Sequence, residues 1–340
     1  MNKEKYNVAI VGATGAVGEQ LREVLEERKF PVGDLRLLAS ERSAGQFLPF
    51  RDKRIRVEIL NQDSFGDIDI GLFSAGGSVS AKFALVAVGV GAVVVDNTAA
   101  FRMEPDVPLV VPEVNGKEIA HYRNRGIIAN PNCSTIQMVV ALKPIHDAAR
   151  IKRVVVSTYQ SVSGAGRKAI DELSQQVTAL YSGRELETEK FSHQIAFNCI
   201  PQIDAFVDGG YTKEEIKMIN ETRKILGEPS LRVTATSVRV PVFCSHSESV
   251  NIETEKKLTA ADVRAILREA PGVLVCDEPE KGIYPMPIDA VGKDATFVGR
   301  IREDNSVPNG INLWIVADNL RKGAALNAIQ IAEILIRDYL

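Results

Sequence analysis

The stretch that most constrains the fold lies near the N-terminus. Tyr6-Asn7-Val8-Ala9-Ile10-Val11 is followed by Gly12-Ala13-Thr14-Gly15-Ala16-Val17-Gly18 and then by residues 19–28, with apolar Leu21, Val24 and Leu25 on one face. The first block predicts a buried strand, the second a glycine-punctuated turn and the third a helix. In that order they form a phosphate-binding unit. Its glycines let backbone approach a pyrophosphate, and the helix N-terminus supplies N–H donors. Further strands are expected at residues 35–39, 56–60, 69–74, 92–97 and 126–129, with a helix over 80–88, which makes a doubly wound Rossmann-type α/β sheet. Ligands in such a sheet sit outside the carboxyl ends of the strands. Gly12, Ser74, Asn97 and Cys133 all fall at such ends.

The end of the second strand bears on which dinucleotide is held. An acidic side chain there binds the ribose 2′-hydroxyl of NAD, whereas an arginine accommodates the 2′-phosphate of NADP. Arg42 with Ser43 fits NADP, and Glu41 beside them fits NAD. Arg42 and Ser43 set the expectation of NADP. Arg102, on the loop beyond Asp96-Asn97-Thr98-Ala99-Ala100-Phe101, is either solvated or placed to bind an anion.

Asn130-Pro131-Asn132-Cys133-Ser134-Thr135 joins the short apolar run 126–129 to a segment, 136–142, with helical spacing that is expected to end before Pro144. A cysteine at a helix start meets unpaired N–H groups and the positive end of the helix dipole, which favour the nucleophilic thiolate. The alternative is a small buried hydrophobe that happens to begin a helix.

From Lys152 the pattern shifts to longer strands with fewer crossovers. Strands are expected over residues 153–161, 231–243, 247–255, 273–276, 296–302 and 311–318, and helices over 166–181 and 213–226. Strand runs with helices set apart predict an α+β domain with a mixed sheet, one face of which is expected to carry a dimer contact. The final helix, 322–338, is lined with Ala324, Ala325, Ala328, Ile331, Ala332 and Leu335, and is expected to return to the first domain. The resulting division is residues 1–131 with 320–340 for dinucleotide binding, and 132–319 for catalysis, substrate binding and dimerisation. Three polar features stand out in the second half. They are the flexible turn Gln160-Ser161-Val162-Ser163-Gly164-Ala165-Gly166, His246 shortly after the strand bearing Arg239, and the pair Glu214/Lys217 at i and i+3 of one helix.

Composition narrows the partner. The 340 residues carry a net charge of −3 with interspersed signs, which argues against nucleic acid and for a small ligand. The polar start of the chain and the lack of a long apolar run predict a cytoplasmic protein with no membrane segment. Cys133, Cys199, Cys244 and Cys276 are too far apart for paired metal-ligand spacing, so no metal is expected.

Taken together these segments resemble aspartate-β-semialdehyde dehydrogenase over essentially the whole chain. The resemblance rests on Gly12 to Gly18, Arg42-Ser43-Ala44-Gly45, Phe101-Arg102, Val111-Pro112-Glu113-Val114-Asn115, Asn130 to Thr135, Tyr159-Gln160, Ser163-Gly164-Ala165-Gly166, Arg239-Val240-Pro241 and His246. It implies reversible NADPH-dependent conversion of L-aspartyl 4-phosphate into L-aspartate 4-semialdehyde and phosphate through a cysteine thioester, by a homodimer. The step would serve lysine, threonine, methionine and diaminopimelate biosynthesis. It further implies Cys133 as acyl acceptor, His246 as acid/base, and Gln160 as the residue orienting the acyl group. Arg239 would hold the α-carboxylate and Glu214 the α-ammonium, with Arg102, Asn132 and Lys217 at the phosphate. The cofactor would be held by Gly12, Thr14, Gly15, Ala16, Val17, Arg42, Ser43, Ser163, Gly164 and Asn319. The loop Asp96-Asn97-Thr98-Ala99-Ala100 departs from the pattern, which more often has serines after the asparagine. Rivals are other phosphorylating semialdehyde dehydrogenases, such as N-acetylglutamyl-phosphate reductase or the glyceraldehyde-phosphate type, and an NADP-binding sensor without chemistry.

Overall fold

The computed structural model describes residues 3–340, and Met1 and Asn2 of the polar N-terminal segment lie outside the described residues. The chain forms two compact units, residues 1–132 with 324–340 and residues 133–323. It crosses between them at Asn132/Cys133 and at Gly323/Ala324.

The first unit contains β1 (Tyr6–Val11), α1 (Ala16–Glu27), β2 (Val32–Ala39), β3 (Phe47–Phe50), β4 (Lys53–Ile59), β5 (Ile70–Phe73), α2 (Gly77–Gly89), β6 (Val93–Asp96), α3 (Pro112–Asn115) and β7 (Ile127–Ala129). The sheet order is β3-β4-β2-β1-β5-β6-β7, parallel throughout except where β3 pairs antiparallel with β4. No strand is expected at 47–50, and Pro49 lies within the one found there. Proline is accepted here because β3 is the outermost strand, where a missing N–H leaves no ladder bond unmade. Helix α1 begins three residues ahead of its expected start, since Gly15 takes the N-cap position. The C-terminal helix (Leu326–Asp338) belongs to this unit and places Leu326, Ile329, Ile331 and Leu335 in the same core as Leu21, Val24 and Leu25. Each such side chain contributes roughly 1.5–3 kcal/mol by burial.

The second unit contains α4 (Cys133–Ala149), β8 (Ile151–Gln160), α5 (Arg167–Tyr181), α6 (Lys213–Leu226), β9 (Arg232–Arg239), β10 (His246–Thr254), α7 (Ala260–Arg268), β11 (Val273–Val275), α8 (Pro287–Ala290), β12 (Thr296–Asp304) and β13 (Gly310–Ala317). Its sheet, β11-β12-β13-β10-β8-β9, is mixed, with β8/β9 and β11/β12 parallel and the other pairs antiparallel. Burial alternates along β8 and β10, as a sheet covered on one face requires. Val154, Val156, Val250 and Ile252 join Met138, Ala141, Leu142 and Ile145 of α4 in the core.

Two expectations are corrected here. Helix α4 does not stop before Pro144 but runs through it to Ala149. Proline forfeits one backbone bond, and the burial of Leu142, Ile145 and Ala149 outweighs that cost. The helix expected over 322–338 is not uniform, for it opens with a π turn, Arg321–Ala325. The irregularity sits at Gly323, which packs so tightly on Cys133 that a Cβ there would lie 2.8 Å from the cysteine Cβ.

Candidate active site

In the second unit, strand register assembles the site. Gln160 ends β8 opposite Arg239, which ends parallel β9. His246 begins antiparallel β10 opposite Ala317 at the end of β13. Four strand termini therefore meet at one end of the sheet, and Gln160, Arg239 and His246 are all buried there. Cys133 is the first residue of α4, half-buried and not in a disulfide. One turn along α4, Gln137 Nε2 donates to the His246 carbonyl at 3.4 Å, which ties the helix carrying the cysteine to the strand carrying the histidine.

Charge around the cysteine is arranged by burial. Arg239 donates through Nη1 to the Ser161 carbonyl at 2.6 Å, and its backbone pairs with Ile200 in both directions. Burial lowers its pKa, while the charges of Glu214 and Cys133 act in the opposite sense and favour the cation. Glu214, on α6, accepts from Gln160 Nε2 at 3.3 Å and from Lys217 Nζ at 3.2 Å. Lys217 also bonds Asp204 at 3.0 Å; burial opposes its charge, and the two carboxylates more than offset this, so its pKa is raised. Asp204 was not foreseen, because it lies in an irregular stretch with no pattern to mark it. His246 is fully buried, and burial followed by the Arg239 charge holds it well below the ordinary value of 6.5.

Ser163 and Asn319 are both buried at 2% exposure and bonded to each other. The Asn319 amide oxygen also accepts from Ser161 Oγ and from the Ser245 N–H. Its amide is thus engaged by the protein itself. A Cβ on Gly164 would lie 3.0 Å from both Arg239 Nη1 and His246 Nε2, so only a glycine lets the backbone approach those two groups this closely.

In the first unit, the glycine turn has the form that a dinucleotide needs. Gly12 has φ +91°, and a Cβ on Gly18 would lie 2.3 Å from the Gly12 carbonyl oxygen. The turn is compressed at those two positions, while Thr14 and Gly15 remain exposed ahead of Ala16 and Val17 at the start of α1, which no side chain caps. This backbone fits a diphosphate. Arg42 and Ser43 lie on the 3₁₀ turn Glu41–Ser43 directly after β2, with the side chains of Glu41 and Arg42 both exposed. Arg102 is buried, donating to the carbonyls of Asn130 at 2.9 Å and Asn97 at 2.7 Å. Asn132 is buried at the end of this unit. The unusual loop is closed by Asp96, whose carboxylate accepts from Ser80 Oγ, Thr98 N and Thr98 Oγ1, so the threonine hydroxyl is used within the loop.

Comparisons with known proteins agree across both units. Residues 7–122 match the family model of the semialdehyde dehydrogenase NAD binding domain, and residues 142–322 that of the semialdehyde dehydrogenase dimerisation domain. The chain is 58% identical over 335 residues to an aspartate-semialdehyde dehydrogenase of Aquifex aeolicus, covering 98% of each chain. It superposes with a TM-score of 0.97 on aspartate semialdehyde dehydrogenase II from Vibrio cholerae complexed with ASA, at 56% identity, covering 99% of this chain and 100% of that one. The enzyme from Candida albicans crystallised with NADP is similar at a TM-score of 0.77 and 27% identity, covering 97% of this chain and 98% of that one.

Proposed function

Since the chain belongs to the aspartate-semialdehyde dehydrogenase family, oxidoreductases that use a nicotinamide dinucleotide, we propose that it interconverts L-aspartyl 4-phosphate and L-aspartate 4-semialdehyde with NADP(H), through a thioester on Cys133. The observation that carries this reading is the gathering of Cys133, Gln160, Arg239 and His246 about one end of the second sheet, with the cysteine heading a helix.

Each residue has a physical reason for its role. The helix start and the neighbouring Arg239 cation favour a thiolate at Cys133. Sulfur suits the chemistry because it attacks an acyl phosphate, leaves the carbon electrophilic as a thioester, and departs readily afterwards. Arg239, rigid and cationic, matches the α-carboxylate, and Glu214 the α-ammonium. Gln160 orients the acyl group. Arg102, Asn132 and Lys217 are assigned to the phosphate. A bound nicotinamide would supply the hydride that reduces the thioester. The segment Gly12, Thr14 to Val17 would hold the diphosphate, with Arg42 and Ser43 at the 2′-phosphate and Ser163, Gly164 and Asn319 towards the nicotinamide end. The NADP named for the Candida albicans relative supports that choice of cofactor.

A homodimer is supported by the uncovered face of the second sheet, where Tyr159 and Trp314 pack with ring centroids 5.5 Å apart and Tyr159 is 39% exposed. A cytoplasmic setting agrees with four cysteines that form no disulfide among the described residues, and no helix among the described residues is long and apolar enough to cross a membrane. The product would feed lysine, threonine, methionine and diaminopimelate synthesis.

The test is a dinucleotide-reduction assay with aspartate semialdehyde and inorganic phosphate, run with NADP and with NAD. Phosphate-dependent NADP reduction is expected, with no comparable rate on N-acetylglutamate semialdehyde. The reverse substrate preference would overturn the reading, and a preference for NAD would assign the dinucleotide to Glu41 instead of Arg42.

A further inference from the structure

We propose that Gln137 and Glu248 form a positioning pair that fixes the helix headed by Cys133 against the strand opened by His246, and so sets the separation of nucleophile and acid/base. This deepens the reaction assigned above and rests on it.

Two periodicities place the pair. Gln137 lies four residues after Cys133 on α4, so both belong to one face of the helix. Glu248 lies two residues after His246 on β10, so both belong to the face of the sheet that α4 covers. Both side chains are fully buried. Gln137 Nε2 donates to the His246 carbonyl at 3.4 Å, and the same amide acts on the Glu248 carboxyl. One side chain of α4 thus reaches the main chain of the first residue of β10 and the side chain of the third.

Farther along, the contact is apolar. Ala141, Leu142 and Ile145 of α4 share a core with Val250 and Ile252 of β10. Burial of such groups is non-directional and sets no exact register between helix and strand. A buried hydrogen bond does, because it demands a given length and angle. The polar rung lies at the end of the contact where Cys133 and His246 stand, which is where register matters to the reaction.

The protonated acid suits this rung. Neither Glu248 carboxyl oxygen, nor Gln137 Oε1, is in hydrogen-bonding geometry with a partner among the described residues. Buried polar atoms in that condition are costly. A carboxylic acid at Glu248 donates its O–H to Gln137 Oε1 and accepts one Nε2 hydrogen on its carbonyl oxygen, while the other Nε2 hydrogen serves the His246 carbonyl. The terminal torsions of Gln and Glu are broad, so this ring closes without a change of backbone. A carboxylate would leave Gln137 Oε1 without a donor. The neighbours favour the acid. Thr158 and Ile315, directly opposite Glu248 on the flanking strands, are uncharged, as are Met138 and Ala141 of α4. His246 is the other titratable group on this face of β10, and Glu215 of α6 is engaged by the Ser237 N–H, two strands away. Burial, opposed by the Gln137 amide, raises the Glu248 pKa well above the ordinary value of 4.5.

Methionine is close in length to either side chain and lacks the amide or acid, so Gln137→Met and Glu248→Met cut the rung with little change in volume. In the semialdehyde assay each should lose about tenfold or more in kcat, with KM within about threefold of the parent. Gln137→Met/Glu248→Met should be no slower than the worse single variant, since the two act as one unit. Glu248→Gln, whose amide can make the same two bonds, should stay within about threefold of the parent. A smaller loss of kcat in a folded methionine variant, a loss carried by KM, additive losses in the double variant, or a larger loss in Glu248→Gln would each overturn the pair. If methionine is not tolerated, Gln137→Asn gives the same reading: its amide falls one carbon short of β10, and the same loss of kcat is expected. Alkylation of Cys133 by iodoacetamide, followed by the mass of its peptide, needs no substrate. Near neutral pH it should slow by about threefold or more in the methionine variants, as the helix start shifts from Arg239 and His246, and keep the parent rate in Glu248→Gln; an unchanged rate in the methionine variants would count against the pair. Failure of the parent in the semialdehyde assay would refute the assigned reaction, and the alkylation rates would still report on the pair.

Discussion

In the proposed reaction the sulfur attacks as a thiolate and later leaves, so it must be exposed enough to meet its substrate; Cys133 combines a helix start, partial exposure and a neighbouring guanidinium. Replacing it tests that combination directly. Cys133→Ala is expected to abolish semialdehyde turnover while leaving NADP binding, followed by fluorescence or calorimetry, within about twofold. Cys133→Ser should retain only a trace, because an alkoxide is harder to form and a poorer leaving group. Unchanged turnover in the alanine variant would return Cys133 to the buried-hydrophobe alternative. The positions of Cys133 at a helix start, of Gln160, Arg239 and His246 at strand ends, and of the Glu214/Lys217 pair on one helix face were legible in the chain, because polar residues there stand out against apolar blocks. Asp204, Ser161 and Gln137 were not. Their roles consist of bonds to residues far away in sequence, such as Gln137 to the His246 carbonyl.

Strand β10 carries more than the histidine at its start. Glu248 shares the helix-covered face with His246, fully buried, with neither carboxylate oxygen in hydrogen-bonding geometry with a partner. Burial, tempered by the nearby Gln137 amide, raises its pKa well above the ordinary value of 4.5. A carboxyl whose folded-state pKa is raised contributes most below its unfolded pKa, and that contribution fades as pH rises through the folded value. Glu248→Gln does not titrate there. Its stability relative to the parent, measured by urea unfolding, should therefore improve by about 1.4 kcal/mol per pH unit above the ordinary carboxyl range, until the parent carboxyl itself ionises. A difference independent of pH would show that Glu248 is ionised in the folded protein. Elements with strong periodicity, β1 and α6 among them, fall where the sequence puts them. Helix α4 overrides Pro144, and the last helix opens with a π turn, because packing against the sheet and against Cys133 outweighs local preference.

At the scale of the whole molecule, the uncovered face of the second sheet is the surface to test. Tyr159 sits on β8 beside Trp314, facing away from the core. Tyr159→Glu places a charge on that face near the carboxyl end of β8 and is expected to shift sedimentation from dimer to monomer, with circular dichroism unchanged; a dimer that persists would move the interface elsewhere. By itself the sequence determined that the chain holds a Rossmann-type sheet followed by a mixed one, and that Cys133 heads a helix. Those properties follow from short-range periodicity, glycine turns and helix starts, which are written in neighbouring residues. Only the tertiary structure decided that Gln160, Arg239 and His246 end adjacent strands, that Ser161 fills His246 Nδ1, and that Gly323 presses on Cys133. Such facts depend on register and close packing between segments distant in the chain, where a shift of one residue turns every side chain to the opposite face.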